Sequence, residues 1–398
     1  HPDRDVVPHG VEMGAQMIHG SKVATWELIK EFNIQTRPLS GYGAERDLVF
    51  RRGELAQAVD EESIEAAWDV VEAASAEYQG PDISWQSFLD SVDLTPLQRE
   101  SLGSAAQSLS AEPNAVSLQS VMAMEGAWEE STDQNFQIIG GYSQLARKMA
   151  AELTCKIELN SEVNGVYWRP GLAGISYRSN GSTQTLTTKR LVITVPIGVL
   201  QSGALAIQPA LPDWKQGSID ALEMGSAVVV QMLFRLENGK ALFPESLSYF
   251  TADDRLSFTS PHGPRGDVQA ISTWISGSSA EKVSRMGQEQ GVAYLLSLLE
   301  AASGVEKLNE KLTWYQYKDW IKDPYSRGSY SFTRPGGVGQ RKHLGKPVEG
   351  TLFFAGEATV ESPHYQTVHG AYASGKRVAD EVAATLDIYG DAPIIELF

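Results

Sequence analysis

Apolar positions along the chain first follow a helical spacing. An apolar stripe predicts a helix over residues 21–35, with Ser21 as its N-cap. Residues 54–111 are rich in Ala, Glu, Gln and Leu and are interrupted by Pro81, Pro96 and Gly103, so we expect several helices joined by short turns. Further helices are predicted over 140–153, after a glycine loop, and over 280–302 and 370–387.

A second type of local composition, rich in Val, Ile, Thr and Tyr, predicts strands. It covers residues 156–195, where Ser179-Asn180-Gly181-Ser182 is typical of a hairpin turn. Residues 191–195 form a short apolar run that ends at Pro196, which predicts a buried strand. Strands are also expected over 224–234 and 268–275. The alternation of helix-rich and strand-rich segments predicts an α/β or α+β protein whose domains combine non-consecutive segments.

Composition narrows the class of protein. The 398 residues are 42% hydrophobic and 21% charged, which excludes wholesale disorder, and no apolar run is long enough to cross a membrane. A formal charge of −17 disfavours nucleic acid as a partner and attracts cationic small molecules. The single Cys155 excludes an intrachain disulfide and a thiolate metal cluster. The compartment stays open, with the cytoplasm favoured, and a homo-oligomer is compatible with the sequence.

Two segments carry candidate chemistry. In residues 11–20, the small Gly14 and Ala15 would let the backbone lie against a flat ligand, although a tight strand-to-loop turn is the favoured explanation of this segment taken alone. Near the C-terminus, an apolar run ends at Gly356-Glu357, and a helix with small residues begins near His369. The N-terminus of that helix would favour an anion or an electron-rich carbonyl, and close packing of a helix on a sheet is the competing interpretation.

Taken together, the chain resembles the flavin-containing amine oxidases, which include polyamine, monoamine and L-amino-acid oxidases. Five segments carry the resemblance in the family's order: VEMGAQMIHG, GGYSQLARKMA, LVITVPIGVLQSGALAIQPALP, WIKDPYSRGSYS and LFFAGEAT with HGAYASGKRVA. The resemblance implies a doubly wound FAD-binding domain interleaved with a substrate domain of mixed sheet and helices. The FAD half would comprise residues 1–40, 136–218 and 332–398, and the substrate half 41–135 and 219–331.

The resemblance also implies roles for individual residues. Gly14 and Ala15 would approach the isoalloxazine ring, with Trp320 beside it. Val163 would contact the adenosine end through its backbone, and Gly356 and Glu357 would lie near the pyrophosphate and ribityl. The Val368 backbone would face the flavin's pyrimidine carbonyl and stabilise the reduced ring. His19 falls at a polar substrate-site position of polyamine oxidases, and a structural histidine is the alternative.

The chain departs from the family in its nucleotide-binding motif. It contains no G-x-G-x-x-G on a strand-to-helix turn, the motif that holds the pyrophosphate. We therefore expect this chain to be a fragment or one subunit of a split protein, with a separate chain or peptide supplying the missing βαβ unit.

Two further departures fall in the predicted active site. Val229 stands where many members have a lysine linked to reoxidation by oxygen, so slow oxygen reactivity or another acceptor is expected. Thr367 replaces an aromatic ring of the substrate cage, for which Tyr365 or Tyr330 would compensate. No cysteine lies in 331–356, where monoamine oxidases attach their flavin, which predicts non-covalent FAD.

These features predict an FAD-dependent oxidoreductase that transfers a hydride from the α-carbon of an amine to flavin N5, giving an imine. An L-amino-acid oxidase would need an arginine clamp, for which Arg46, Arg51 and Arg52 are candidates. A non-catalytic flavoprotein-like subunit is the alternative from another class. No metal is expected, because the seven histidines lack ligand spacing.

Overall fold

The computed structural model describes residues 12–39, 47–51, 54–57, 61–103, 106, 109–131, 134–243, 248–251, 256–260, 264–361 and 364–389. The strands in these ranges are β1 Ile18–His19, β2 Thr36–Pro38, β3 Asp47–Arg51, β4 Glu54–Gln57, β5 Asn135–Ile138, β6 Ser161–Arg169, β7 Leu172–Ser179, β8 Ser182–Thr188, β9 Leu191–Ile193, β10 Ala206–Gln208, β11 Leu222–Met224, β12 Ala227–Arg235, β13 Ser248–Thr251, β14 Leu256–Thr259, β15 Val268–Ser276, β16 Leu312–Asp319, β17 Ser331–Thr333 and β18 Leu352–Phe354. The helices are α1 Thr25–Glu31, α2 Glu61–Glu77, α3 Trp85–Ser91, α4 Pro96–Gly103, α5 Leu118–Ser131, α6 Ser143–Glu152, α7 Ile197–Gln201, α8 Asp213–Asp220, α9 Gly277–Ser303, α10 Leu308–Lys311, α11 Gln340–Gly345 and α12 Val368–Tyr389.

A mixed sheet in the order β16-β12-β15-β14-β13-β3-β4 forms the scaffold of one half of the molecule. Side chains alternate between its two faces. Val228, Val230 and Met232 of β12 belong to the buried cluster that packs against α9. The opposite face carries polar and aromatic residues, and it becomes one wall of the site described below.

Strands β6, β7, β8 and β10 make a second sheet, in which β7 and β8 form a hairpin. The turn between them contains Asn180 and Gly181, both with positive φ, as the sequence predicts. The short strands β9 and β18 pair in parallel, and the strand predicted over 191–195 is confirmed as Leu191–Ile193. Its predicted burial is wrong for Val192, which is 40% exposed, because alternate residues face opposite sides and only Ile193 of this pair packs into the core.

Most predicted helices are confirmed, with shifted ends. The helix predicted over 21–35 forms only at Thr25–Glu31, and Ala24 rather than Ser21 is its N-cap. The left-handed Asn33 (φ 49°) follows its C-terminus and keeps the helix from continuing to residue 35. The predicted helices at 140–153, 280–302 and 370–387 correspond to α6, α9 and α12.

The molecule belongs to the α/β class, and the predicted substrate half contains both helices and a mixed sheet, as the resemblance implies. Residues 41–135 are mainly helical, as α2 to α5 with a shared apolar core, but β3 and β4 also add strands to the mixed sheet. The division into two interleaved domains stays a prediction.

Candidate active site

A cavity of about 780 Å³ opens between three parts of the chain that are distant in sequence. These are the turn at Gly14–Ala15, the polar face of the mixed sheet, and the segment that leads into α12. Aromatic side chains contribute much of its wall, namely Tyr142, Trp274, Trp320, Tyr330 and Tyr365. A volume of this size, with aromatic and polar side chains in its wall, is typical of a cofactor or substrate site.

The Gly14–Ala15 turn is fixed from both sides. The Glu12 carboxylate accepts a hydrogen bond of 2.6 Å from the backbone N–H of Tyr142, and Gln231 donates to the Glu12 carbonyl at 3.0 Å. Trp320 donates its indole N–H to the Met13 carbonyl at 2.7 Å. A Cβ atom added at Gly14 would lie 3.7 Å from the Trp320 ring, so the glycine leaves the indole accessible beside the turn.

The start of α12 supplies the opposite wall. Thr367 is its N-cap, since its hydroxyl oxygen accepts from the Gly370 backbone N–H at 3.0 Å and its O–H donates to the His364 carbonyl at 2.6 Å. Val368 and His369 line the cavity in the first turn, where backbone N–H groups lack helical acceptors. The Thr367 side chain thus lines the cavity, but its hydroxyl already holds the helix terminus.

The sheet contributes a wall of hydroxyl and aromatic groups. Ser272, Trp274 and Ser276 alternate along β15 and all face the cavity, as do Ser257 and Thr259 of β14. Trp274 stacks on Tyr330 with ring centroids 6.0 Å apart and planes 12° from parallel. Trp274 was not predicted as a site residue, although the alternation of Ser272, Trp274 and Ser276 along the chain indicates a polar and aromatic strand face.

Val229 lies on the cavity side of the sheet but does not reach the cavity. It pairs with Trp274 on one side and with Lys318 on the other, and it is fully buried. Lys318 carries its ammonium 4.5 Å from the centroid of the Trp320 ring and forms an ion pair with Asp323. The charged group next to the predicted ring site therefore comes from a neighbouring strand, which periodicity along β12 could not indicate.

Glu357 is held by three donors. Its carboxylate accepts from the Ser331 backbone N–H at 3.0 Å, from the Ser331 hydroxyl at 3.0 Å and from the Gln366 backbone N–H at 2.9 Å. Tyr365 also lines the cavity, and its hydroxyl forms a hydrogen bond of 2.9 Å with the Ser120 hydroxyl.

Two histidines line the cavity in their neutral forms. Burial lowers the pKa of His19, whose Nδ1 lies 3.0 Å from the Asn135 side-chain oxygen. Burial, reinforced by His364 and His19, lowers the pKa of His369 to about 4. Burial likewise raises the pKa of Tyr330 to about 12, so its hydroxyl stays protonated at neutral pH.

The remaining predicted cofactor residues lie further away. Gly356 lines an adjoining cavity of about 230 Å³ that shares Ser329, Glu357 and Ala371 with the larger one. Its φ of 130° is a conformation that glycine tolerates and other residues rarely adopt. Val163 lies on β6, outside both cavities, and is 38% exposed. Its predicted contact with the adenosine end stays a prediction.

Two kinds of site are absent from the part of the chain that the structure describes. No group of three or more His, Cys, Asp or Glu side chains there is arranged to hold a metal ion. Within the same ranges, none of the helices combines the length and apolarity needed to cross a membrane.

The chain belongs to the flavin containing amine oxidoreductase family, whose model matches residues 9–383. Curated relatives include lysine-specific histone demethylase 2 of Homo sapiens (28% identical, 61% of this chain and 30% of the relative), probable polyamine oxidase 5 of Arabidopsis thaliana (26%, 65% and 57%) and polyamine oxidase 4 of Oryza sativa subsp. japonica (29%, 61% and 48%). The chain therefore spans less than two thirds of the length of each of these relatives.

Solved structures share the fold. Putrescine oxidase superposes with a TM-score of 0.74 at 19% identity, over 94% of this chain and 88% of that one. Cyclohexylamine oxidase from Brevibacterium oxydans IH-35A gives 0.73 at 17% identity, over 96% and 90%. Family membership implies a flavin cofactor, and the fold is that of FAD-dependent amine oxidases.

Proposed function

We propose that this protein is an FAD-dependent oxidoreductase that oxidises the C–N bond of an amine. The observation that carries the proposal is the single cavity bounded by the Gly14–Ala15 turn, the N-terminus of α12 and the Trp274–Tyr330 pair, in a chain of the flavin-containing family. When bound, the flavin supplies the acceptor for a hydride from the substrate α-carbon, which leaves an imine.

The residues present fit a non-covalent flavin. Gly14 and Ala15 would lie under the ring and Trp320 beside it, while the first turn of α12 at Val368 offers N–H groups and a positive dipole end to a pyrimidine carbonyl. Gly356 and Glu357 connect this cavity to the adjoining one, which gives an extended cofactor a continuous path. Val163 remains our proposed contact for the adenosine end.

On the substrate side, the protein would position the amine and exclude water. The stacked Trp274 and Tyr330 and the ring of Tyr365 provide flat apolar surfaces for the amine and its carbon chain. His19, whose Nδ1 lies 3.0 Å from the Asn135 side-chain oxygen, would contribute a polar ring to the wall beside the substrate. Thr367 would act only indirectly, by fixing the helix terminus.

Absorption spectroscopy tests the proposal. The protein purified as its native assembly and incubated with FAD should show the bands of an oxidised flavin, and these should bleach without oxygen when a primary or secondary amine is added. Gly14→Val should abolish flavin binding because the new methyl groups would occupy the ring site. Gly217→Val is the matched control, since a Cβ atom at Gly217 meets nothing within 4 Å. A protein that folds but never binds flavin would contradict the proposal and support the non-catalytic alternative.

An L-amino-acid oxidase is the second candidate within the class. Of its candidate arginines, Arg46 and Arg52 lie outside the described residues, and Arg51 ends β3. A panel that pairs each amine with its α-carboxylated analogue distinguishes the two activities. We expect flavin reduction by the amines, and reduction by the carboxylated members alone would contradict simple amine oxidation.

We propose that oxygen reoxidises the reduced flavin slowly. The fully buried Val229 offers no hydrogen bond or charge on the cavity side of β12, and the neighbouring Lys318 is paired with Asp323. Stopped-flow reoxidation by oxygen, compared with a quinone acceptor, measures the preference. Rates with oxygen at or above those with the quinone would contradict this expectation.

We also propose that a strand–helix unit from a separate chain or peptide covers an apolar surface of the FAD half. Leu153, Ile157 and Leu159 expose 55%, 50% and 78% of their surface there. Three large apolar side chains exposed within residues 153–159 are unusual on a free surface. Mass analysis of the native assembly should detect the additional chain. A single species with the mass of this chain and stoichiometric FAD would contradict this part of the proposal.

A further inference from the structure

Arg341 lies buried directly behind the cavity wall. The residue, on α11, is only 3% exposed and does not line the cavity. Its guanidinium donates to the Ser331 hydroxyl at 2.7 Å, to the Ser331 carbonyl at 3.0 Å and to the Thr333 hydroxyl at 3.2 Å. These bonds fix the plane of the guanidinium, because its donors form a rigid fork.

The guanidinium stacks on the ring of Tyr365, which does line the cavity. The Arg341 Cζ atom lies 3.9 Å from the ring centroid, within the range of a cation–π contact. The Tyr365 hydroxyl is held at its far end by Ser120 at 2.9 Å, so the ring cannot turn away from the cation. The ring therefore separates a fixed positive charge from the cavity.

The same cation is connected to Glu357 through one hydroxyl group. Ser331 accepts from Arg341 and donates to the Glu357 carboxylate at 3.0 Å, while Gln366 donates its side-chain N–H to the Ser331 carbonyl at 2.8 Å. Arg341 thus supports three residues that line the cavity: Glu357, Tyr365 and Gln366. It also balances the charge of the Glu357 carboxylate.

We propose that Arg341 is a positioning residue that makes this wall of the cavity select neutral amines over ammonium ions. The electron-rich face of an aromatic ring attracts a cation. The guanidinium already interacts with one face of the Tyr365 ring, so the face towards the cavity attracts a second cation less strongly. A second cation on the cavity side would also be repelled across the ring, because Arg341 and Tyr365 are both buried and charges interact more strongly away from bulk water. The inference rests on the proposed function, because a hydride leaves the α-carbon readily only when the nitrogen is neutral.

Binding of a matched ligand pair to the flavin-loaded protein tests the proposal without turnover. Choline carries a fixed charge, and its carbon isostere, in which a quaternary carbon replaces the nitrogen, is neutral. Isothermal titration calorimetry should show that the neutral isostere binds more tightly. Arg341→Met should shift the affinity ratio towards choline on the order of tenfold, because it removes the cation behind Tyr365 and leaves Glu357 unbalanced.

Further variants separate charge from packing. Arg341→Lys keeps the charge and should keep the neutral preference, and Arg341→Gln, which retains donors for Ser331, replaces the methionine variant if the latter does not fold. Arg377→Met is the matched control: Arg377 donates to the Gly345 and Phe354 carbonyls and does not line the cavity.

The outcomes distinguish this proposal from the proposed function. A ratio that is unchanged in the methionine and glutamine variants, or that changes equally in the Arg377 control, would overturn the role of Arg341 alone. A purely structural role would lower both affinities and leave their ratio constant, which overturns it as well. If the protein binds neither flavin nor either ligand, the proposed function fails and this inference fails with it.

Discussion

At the scale of single residues, the cavity wall depends on a close backbone contact at Gly370 that leaves no room for a side chain. A Cβ atom built on Gly370 would lie 1.8 Å from the His364 carbonyl oxygen, and the Thr367 hydroxyl bridges the same two residues. The helix therefore turns against the preceding loop at a separation that only glycine permits. Val368 and His369 are held in the cavity wall by this arrangement.

Gly370→Ala should consequently destabilise the protein by about 3 kcal/mol and weaken flavin binding, since loop and helix must separate to admit the methyl group. Gly375→Ala, on the same helix, is the control, because a Cβ atom there meets nothing within 4 Å. It should stabilise the protein by up to about 1 kcal/mol through helix propensity. Urea denaturation measures both, and equal effects of the two variants would contradict the steric argument.

His369 should make stability depend on pH. Burial lowers its pKa from 6.5 to about 4, so the unfolded chain binds a proton at a higher pH than the folded protein does. Stability should therefore fall as the pH decreases from 6.5 towards 4, by roughly 2 kcal/mol after solvent screening, and this contribution should not change above pH 6.5. Urea midpoints measured across this range should depend less on pH in His369→Gln than in the unaltered protein, and an equal dependence in both proteins would contradict this role of His369.

At the scale of elements, α11 is secured by a buried lysine. Lys215 of α8 is fully buried, and its ammonium donates to the carbonyls of His343, Leu344 and Lys346 at 3.1, 2.6 and 2.5 Å. The last carbonyls of a helix lack partners within it, so this side chain closes the C-terminus of α11. Because α11 carries Arg341, the lysine also supports the cavity wall.

Lys215→Met should therefore destabilise the protein by about 3 kcal/mol, since it removes the ammonium donor from the Leu344 and Lys346 carbonyls and leaves the His343 carbonyl with only the Lys346 backbone N–H. Lys376→Met removes an exposed ion pair with Glu27 and should change the free energy of unfolding by less than about 1 kcal/mol. Guanidinium denaturation compares the two variants. A small effect at Lys215 would mean that water replaces the ammonium there.

Periodicity predicted most of the elements but not their ends or neighbours. Alternation along 268–275 was sufficient to predict β15, and the Asn180–Gly181 pair was sufficient for the hairpin. The early end of α1 at Glu31 and the pairing of Val229 with Lys318 depend on backbone angles and register that no local pattern encodes. The sequence did not indicate that Arg341 is buried behind the site, because nothing in its flanking residues distinguishes it from a surface arginine.

At the scale of the whole molecule, the formal charge of −17 produces a field that favours cationic ligands. Encounter with a protonated amine should be accelerated at low salt, even though we propose that the amine reacts in the cavity as the neutral base. The kcat/KM for a cationic amine should therefore fall roughly three- to tenfold between about 0.02 M and 0.5 M salt. A weakly basic amine that is neutral at the assay pH is the control, and an equal decrease for it would point to an effect of salt on the protein.

The sequence by itself determined the family, the class of fold and the two ends of the cavity. Those features reside in short contiguous segments, such as Gly14–Ala15 and the residues that lead into α12. The small residues in these segments allow the backbone to turn tightly or to lie close to a ligand. Only the tertiary structure decided which side chains complete the site. Trp274, the capping role of Thr367 and the guanidinium behind Tyr365 arise from contacts between segments far apart in the chain, and such contacts depend on strand register and helix packing rather than on any local pattern.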